Sequence, residues 1–288
     1  MHRVLETPEI LEMVLEQLDM RTLLISAQRV CHSWNNLIAS SPALQKALFF
    51  TPIKDANERG MHEKMLNPLL VETFPSVFPG PQKVEVKRRF INRDKRFDFR
   101  FSDLPIASLE DEAQARFIRN DASWRRMLVS QPPMQDIGLM HLRHERGGDS
   151  AEYWNMPADK ALSGLRMERL FEILLFHDPI HHRVATEARV YWAAGDKDEI
   201  AVDFDEGWRR QNIRMQFFAL LRQCRVVVYT SEVVQCTMDF GIRHRTWDQD
   251  AKDGVTAAYR HLGLDVDERK RMIKEEKKKK ILEKPEGE

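Results

Sequence analysis

The sequence predicts an α+β protein: a small three-helix module, a connector, a larger mixed domain and a charged tail. Three observations predict it. Residues 7–48 carry apolar side chains at helical spacing in short runs. Beyond residue 83, helical and alternating periods interleave without the regular spacing of βαβ units. The 288 residues contain no internal repeat, so a solenoid or a propeller is not expected.

Taken in order, Thr7-Pro8 reads as an N-cap with proline at the first helical position, where its missing N–H costs nothing. Glu9 suits the dipole of that first turn. Ile10, Leu11, Val14, Leu15 and Leu18 fall in one arc, and Glu9, Glu12 and Glu16 point away from it. Asp19 to Thr22 breaks the pattern, and Leu23, Leu24, Ala27 and Val30 support a second short helix. A third, over 32–39, carries Trp34, Leu37 and Ile38 and ends before Pro42. Ser41-Pro42 then opens a last turn with Leu44, Ala47 and Leu48. So small a module buries little by itself, and its surplus apolar surface is a candidate interface.

The divisions expected are 1–50, 51–83, 84–263 and 264–288. Pro52, Gly60, Pro68, Pro75, Pro79, Gly80 and Pro81 give residues 51–83 the character of a connector. Leu69, Leu70, Phe74 and Phe78 give it something to dock with. In the mixed domain Phe97, Phe99 and Phe101 alternate as in a half-buried strand. Helices are predicted over 109–120 (Ser108 as N-cap), 165–176 and 208–221, and strands over 188–192, 200–204, 225–229 and 233–240. The 165–176 helix and the 225–240 strands should be the most protected elements. The Lys/Glu-rich tail is expected to be a solvated helix that frays, outside the core and dispensable for folding.

Lys+Arg and Asp+Glu each number 45, which argues against a chain devoted to coating nucleic acid or an acidic membrane. The basic run at 277–280 is offset by neighbouring glutamates and reads as a solvated face. No apolar run approaches the roughly 20 residues of a membrane span, and Glu6, Glu9 and Glu12 interrupt any signal-peptide core. Cys31, Cys224 and Cys236 form no spaced framework. Each is expected to be a small buried hydrophobe rather than a reactive thiol. The expected compartment is the cytoplasm, the nucleus or both.

There is no glycine-rich phosphate loop, G-x-S-x-G elbow or H-E-x-x-H motif, so no catalytic residue, cofactor or metal is predicted. His177, His181 and His182 come nearest to a ligand set, but Pro179 breaks the helix that would align them. Trp124-Arg125-Arg126 could form a recognition patch. The favoured reading puts Trp124, Met127 and Leu128 in the core, with the arginines capping an edge or pairing with acids.

Pro8-x-Ile10-Leu11, the apolar helix to Leu18, the Leu23-Leu24 pair, Val30-Cys31-x-x-Trp34 and Leu37-Ile38 before Ser40-Ser41-Pro42 together resemble an F-box. Thr7 departs from the familiar leucine before the proline. Residues 67–78, 123–128 and 131–133 are more loosely similar to segments of filamentous-fungal F-box proteins. The resemblance implies a non-catalytic substrate receptor of a Skp–cullin–F-box ubiquitin ligase. It implies a Skp-type adaptor, a cullin through that adaptor, and a target protein held by residues 84–263. Pro8, Ile10, Leu11, Leu15, Leu18, Leu24, Val30, Trp34 and Leu37 would meet the adaptor. Against this stands a self-contained helical core, which Trp34 and Leu24 serve in part. A Leu11→Asp change is expected to bury a charge in the adaptor contact. The rival readings are an adaptor-binding scaffold outside a ligase, and an enzyme whose abundance the F-box controls.

Overall fold

The computed structural model describes residues 7–53, 65–78, 111–145, 148–158, 164–176, 186–193, 211–233 and 242–282. The first module contains α1 (Pro8–Leu15), α2 (Met20–Ile25), a 3-10 turn (Ala27–Arg29), α3 (His32–Ser40) and α4 (Pro42–Ala47). Side-chain caps set its helix starts. Asp19 accepts from the Thr22 N–H and hydroxyl at 2.9 and 2.6 Å, bonds that hold its carboxyl below the ordinary value. Ser41 accepts from Leu44 N at 3.1 Å and donates to Glu12, tying α4 back to α1.

The connector follows as β1 (Met65–Leu66) and α5 (Pro68–Thr73). Asn67, fully buried, caps α5 by accepting from Leu69 N and Leu70 N, and its amide donates to the Leu128 carbonyl. Leu70, Phe74, Val77 and Phe78 enter the main core, so the connector packs as its apolar residues predict. Next come α6 (Asp111–Ile118), α7 (Ser123–Arg126) and β2 (Ser130–Gln131), which pairs with β1.

A four-stranded mixed sheet organises the rest: β3 (Asp136–Glu145), β4 (Gly148–Pro157), β5 (Thr186–Trp192) and β6 (Val226–Val233). Its order is β4-β3-β6-β5, with β3 and β6 parallel and the outer pairs antiparallel. Alternation divides its two faces. Ile137, Leu139, Trp154, Met156, Val226, Val228 and Trp192 face the large core with α8 (Met167–Phe176). Met140, Leu142, Val227 and Tyr229 face α9 (Gln211–Cys224). At Gly138 a Cβ would sit 2.7 Å from Leu220 Cγ and 2.9 Å from Val227 Cγ2, so the glycine lets α9 lie close on β3. The chain continues through α10 (Ile242–His261) and α11 (Val266–Leu282). Among the described residues, no helix is long and apolar enough to cross a membrane.

The predicted helices over 109–120, 165–176 and 208–221 appear as α6, α8 and α9, and the strands over 188–192 and 225–229 as β5 and β6. The expectations for Ser108, Phe97 to Phe101, 200–204 and 234–240 lie outside the described residues. The β3–β4 pair and α10 were not anticipated. The tail needs correction. Val266 and Ile273 are 2% and 3% exposed in the main core, so α11 docks rather than lying outside it. Two apolar positions one helical stripe apart suffice to dock it, although its mean composition is strongly polar.

A buried charge cluster joins these helices. Arg125 is wholly inaccessible, and its guanidinium donates to the Ile118 carbonyl (3.2 Å), the Tyr259 hydroxyl (3.0 Å), Glu172 (3.1 Å) and Glu168. Arg269 of α11 donates to the same two carboxylates from outside. Burial works against Arg125's charge, but its partners outweigh burial and raise its pKa. At Glu172 burial wins over Arg269 and Arg125, and the carboxyl sits above its ordinary range. Trp124 is buried beside this cluster, against Phe74, Phe117 and Phe171, so the core reading of 124–128 holds. Arg126 stays exposed, over the Phe50 ring at 4.9 Å.

Two outcomes follow from these contacts. Gly138→Ala should destabilise the protein by about 1–3 kcal/mol in urea unfolding, and Leu220→Ala in the same chain should recover part of that loss. Because the folded Glu172 binds its proton more readily than the unfolded chain, its contribution to stability grows as pH falls through the folded pKa towards 4.5. It is lost as pH rises. The stability difference between wild type and Glu172→Gln should therefore move in favour of wild type from pH ~7 to ~5, and a slope of opposite sign in thermal unfolding would contradict the assignment.

Candidate functional site

The first module offers the strongest unexplained surface among the described residues. Its own core is Leu11, Leu15, Leu23, Ala27, Ile38, Leu44 and Leu48, each at most 2% exposed. Leu18, Leu24, Trp34 and Leu37 are half-buried against that core. The helical period explains the division on α1. Leu11 and Leu15 share the inward side, and Ile10, Met13 and Val14 at i, i+3 and i+4 share another. Those three are 39%, 66% and 42% exposed. Ile25, the last residue of α2, and Val30, after the 3-10 turn, are also exposed. Leaving such side chains in water forfeits the transfer free energy that burial would supply, up to about 1.5–3 kcal/mol apiece.

The nine residues predicted from the sequence therefore fall into three groups. Pro8, Ile10 and Val30 are exposed. Leu18, Leu24, Trp34 and Leu37 brace the module, with part of each surface open. Leu11 and Leu15 lie inside. Leu24 also packs towards the main core with Met20 and Phe50, which fastens the module to the larger unit. Met13 and Ile25 were not anticipated; Met13 was legible as the i+3 neighbour of Ile10. The Leu11→Asp test needs correction, because that charge would enter the module's own core and unfold it.

The module is anchored as well as exposed. The Phe49 carbonyl accepts from Leu128 N at 2.8 Å, and Gln131 donates to the Lys46 and Thr51 carbonyls. Arg166 donates to the Phe50 carbonyl at 3.2 Å, and Arg21 pairs with Glu72 at 2.7 Å. The last is exposed and adds little. The buried backbone contacts fix the geometry.

An F-box domain model matches residues 7–46. The chain carries an N-terminal F-box. A larger mixed helix–sheet region follows it. F-box domains generally bind Skp-type adaptors, and F-box proteins are typically non-catalytic ligase subunits. No curated protein and no solved structure matches the chain.

The remaining candidates separate clearly. Cys31 is exposed at the start of α3, not buried as expected, because it sits outside the helix in extended backbone, facing away from the F-box core. Cys224 is buried as predicted, and burial pushes its thiol up to about 12, which makes it a poor nucleophile. His177, His181, His182 and Cys236 lie outside the described residues. Among the described residues no group of three His, Cys, Asp or Glu side chains is placed to hold a metal.

Leu11→Ala should cost the F-box about 2–5 kcal/mol, the range for a deleted core side chain. Exchange of α1 and α3 amides should rise while β3 and β6 keep their protection.

Proposed function

We propose that the chain is a substrate receptor of a Skp–cullin–F-box ubiquitin ligase, acting in the cytoplasm, the nucleus or both. The observation that carries this is the exposed apolar row Ile10, Met13 and Val14 on the first helix of a matched F-box. A Skp-type adaptor would cover that row and the neighbouring Pro8 and Val30, and a cullin would join through the adaptor. Leu11 and Leu15 hold the row in place from beneath. Trp34, Leu37, Leu18 and Leu24 would contribute their open edges.

The larger unit would hold a target protein. The work is positional: a target held beside a ubiquitin-charged enzyme meets it at high effective concentration rather than by chance encounter. The backbone anchors at Phe49, Phe50 and Lys46 support such a role, because they keep the adaptor-binding row at a fixed angle to the target-holding unit.

Val14→Asp tests the adaptor half of this reading. The site is on the surface, so stability should change by no more than about 0.5 kcal/mol. In the complex the carboxylate would be buried unpaired, and adaptor affinity should fall at least about 10-fold. Full-length wild type and variant are compared by calorimetric titration with purified adaptor, with circular dichroism as the check on folding. Unchanged affinity in a folded Val14→Asp protein removes the proposed contact. Affinity purification with and without cullin inhibition tests the ligase half.

A further inference from the structure

Helix α11 walls a cleft. The cavity, about 740 Å3, lies between the start of α8, the end of β4 and the first turns of α11, with Pro157, Ala158, Glu168, Glu172 and Met272 in its lining. A space of that size accommodates a side chain together with its flanking residues. Few contacts hold the wall in place. Val266 and Ile273 are buried, whereas Asp267, Glu268, Lys270, Arg271, Met272, Lys274 and Glu275 are exposed. Besides these two apolar anchors, the Arg269 ion pairs and the Lys270 ammonium over the Phe176 ring at 5.9 Å hold the 17-residue helix down.

The junction before α11 is a left-handed helix stop. Gly263 has φ +71, and a Cβ there would meet nothing within 4 Å. Leu264 N bonds the Tyr259 carbonyl and Gly263 N the Arg260 carbonyl, which close α10 independently of α11. Asp265 then caps the new helix at Glu268 N, 2.8 Å away.

The decisive contact is Arg269. Glu168 and Glu172 stand one turn apart on α8 and aim at the same point. Arg125 fills their inner side permanently, and Arg269 supplies the outer guanidinium. Its loss would leave the two carboxylates to share Arg125, with Arg169 beside them, one cation fewer around the nearly buried Glu172. Another planar guanidinium would restore the balance. Arg269 meets both carboxylates through one nitrogen, Nη1, so the site takes a single cationic donor, which in the folded chain is a guanidinium.

We propose that α11 is an intramolecular plug: Arg269 occupies a guanidinium site formed by Glu168 and Glu172, and an arginine-bearing segment of a partner protein displaces it as α11 swings out at Gly263. The reading concerns α8, α11 and their junction alone, and it stands whether or not the F-box binds an adaptor. The apolar lining at Pro157, Ala158 and Met272 would receive residues flanking the incoming arginine.

Hydrogen exchange on the full-length chain tests it, with β3 and β6 as internal references. In wild type α11 should exchange through its own opening, ahead of the strands. Arg269→Ala should speed α11 exchange about 10-fold or more and leave the strands unchanged. A synthetic peptide of residues 264–282, added to the Arg269→Ala protein, should slow exchange in α8, and the same peptide carrying Arg269→Ala should not. If Arg269→Ala fails to fold, Arg269→Gln takes its place in both measurements. Exchange of α11 only in concert with β3 and β6 overturns the plug. So does equal protection by the two peptides, or protection by neither.

Discussion

A fully buried guanidinium is the constraint from which most of this architecture follows. Arg125 brings a permanent charge and five N–H donors into the interior, and leaving them unmet would cost several kcal/mol. The chain meets them from three elements far apart in sequence. Ile118 ends α6, Glu168 and Glu172 lie on one face of α8, and Tyr259, 134 positions away, lies on α10. Each of these elements must converge on the same point, or the charge is stranded. Burial of Tyr259 raises its phenol pKa, so the ring stays neutral and donates or accepts without adding charge. The neighbouring Trp124 extends the constraint. Its ring packs against Phe74 and Phe171 edge-on and stacks on Phe117, which brings the connector helix into the same core.

The F-box inherits its position from that core. The connector docks through Phe74 and Phe78, and the F-box adds its own backbone contacts at Phe49 and Phe50. Half-buried Met20, Leu24 and Phe50 pack towards the same cluster, so the small core and the large one touch. A module of 40-odd residues gains stability by such docking. The arrangement also explains why Ile10, Met13 and Val14, three of the five exposed large hydrophobic residues of the F-box, lie on α1: the opposite end of the module is spent on the junction.

Much of the fold was legible because its signals were local. Pro8 after Thr7, Asp19 before α2, Ser41-Pro42 and Asn67-Pro68 mark helix starts through side-chain capping and proline's fixed φ. Met167 to Phe176 declares itself by apolar spacing, and Val226 to Val228 by β-branching. The β3–β4 pair was hidden for opposite reasons. β3 is central and covered on both faces, so Ile137 to Leu142 is apolar on each side and loses its alternation. β4 is an outer strand with few β-branched residues and reads as polar loop. The tail misled because composition is an average. Val266, Arg269 and Ile273 decide its docking, and each meets a partner more than 90 positions away or a core assembled from the whole chain.

The F-box pattern was legible as a pattern, yet its residues perform two different tasks that the pattern mixes. A helix of two turns has room for one inward stripe and one outward stripe, about 100° or more apart. On α1 the inward stripe is Leu11 and Leu15, and no amphipathic signal separates it from Ile10 and Val14 beside it, since all four are aliphatic. Only the placement of α3 and α4 decides which side is covered. Once Ile38 and Leu44 close over Leu11 and Leu15, the other stripe is left in water at a cost that the isolated chain cannot recover. A second apolar stripe on so short a helix is therefore more than folding of the module requires. That is the physical argument behind the proposed adaptor contact: the hydrophobicity of this surface exceeds what the module's own core can use.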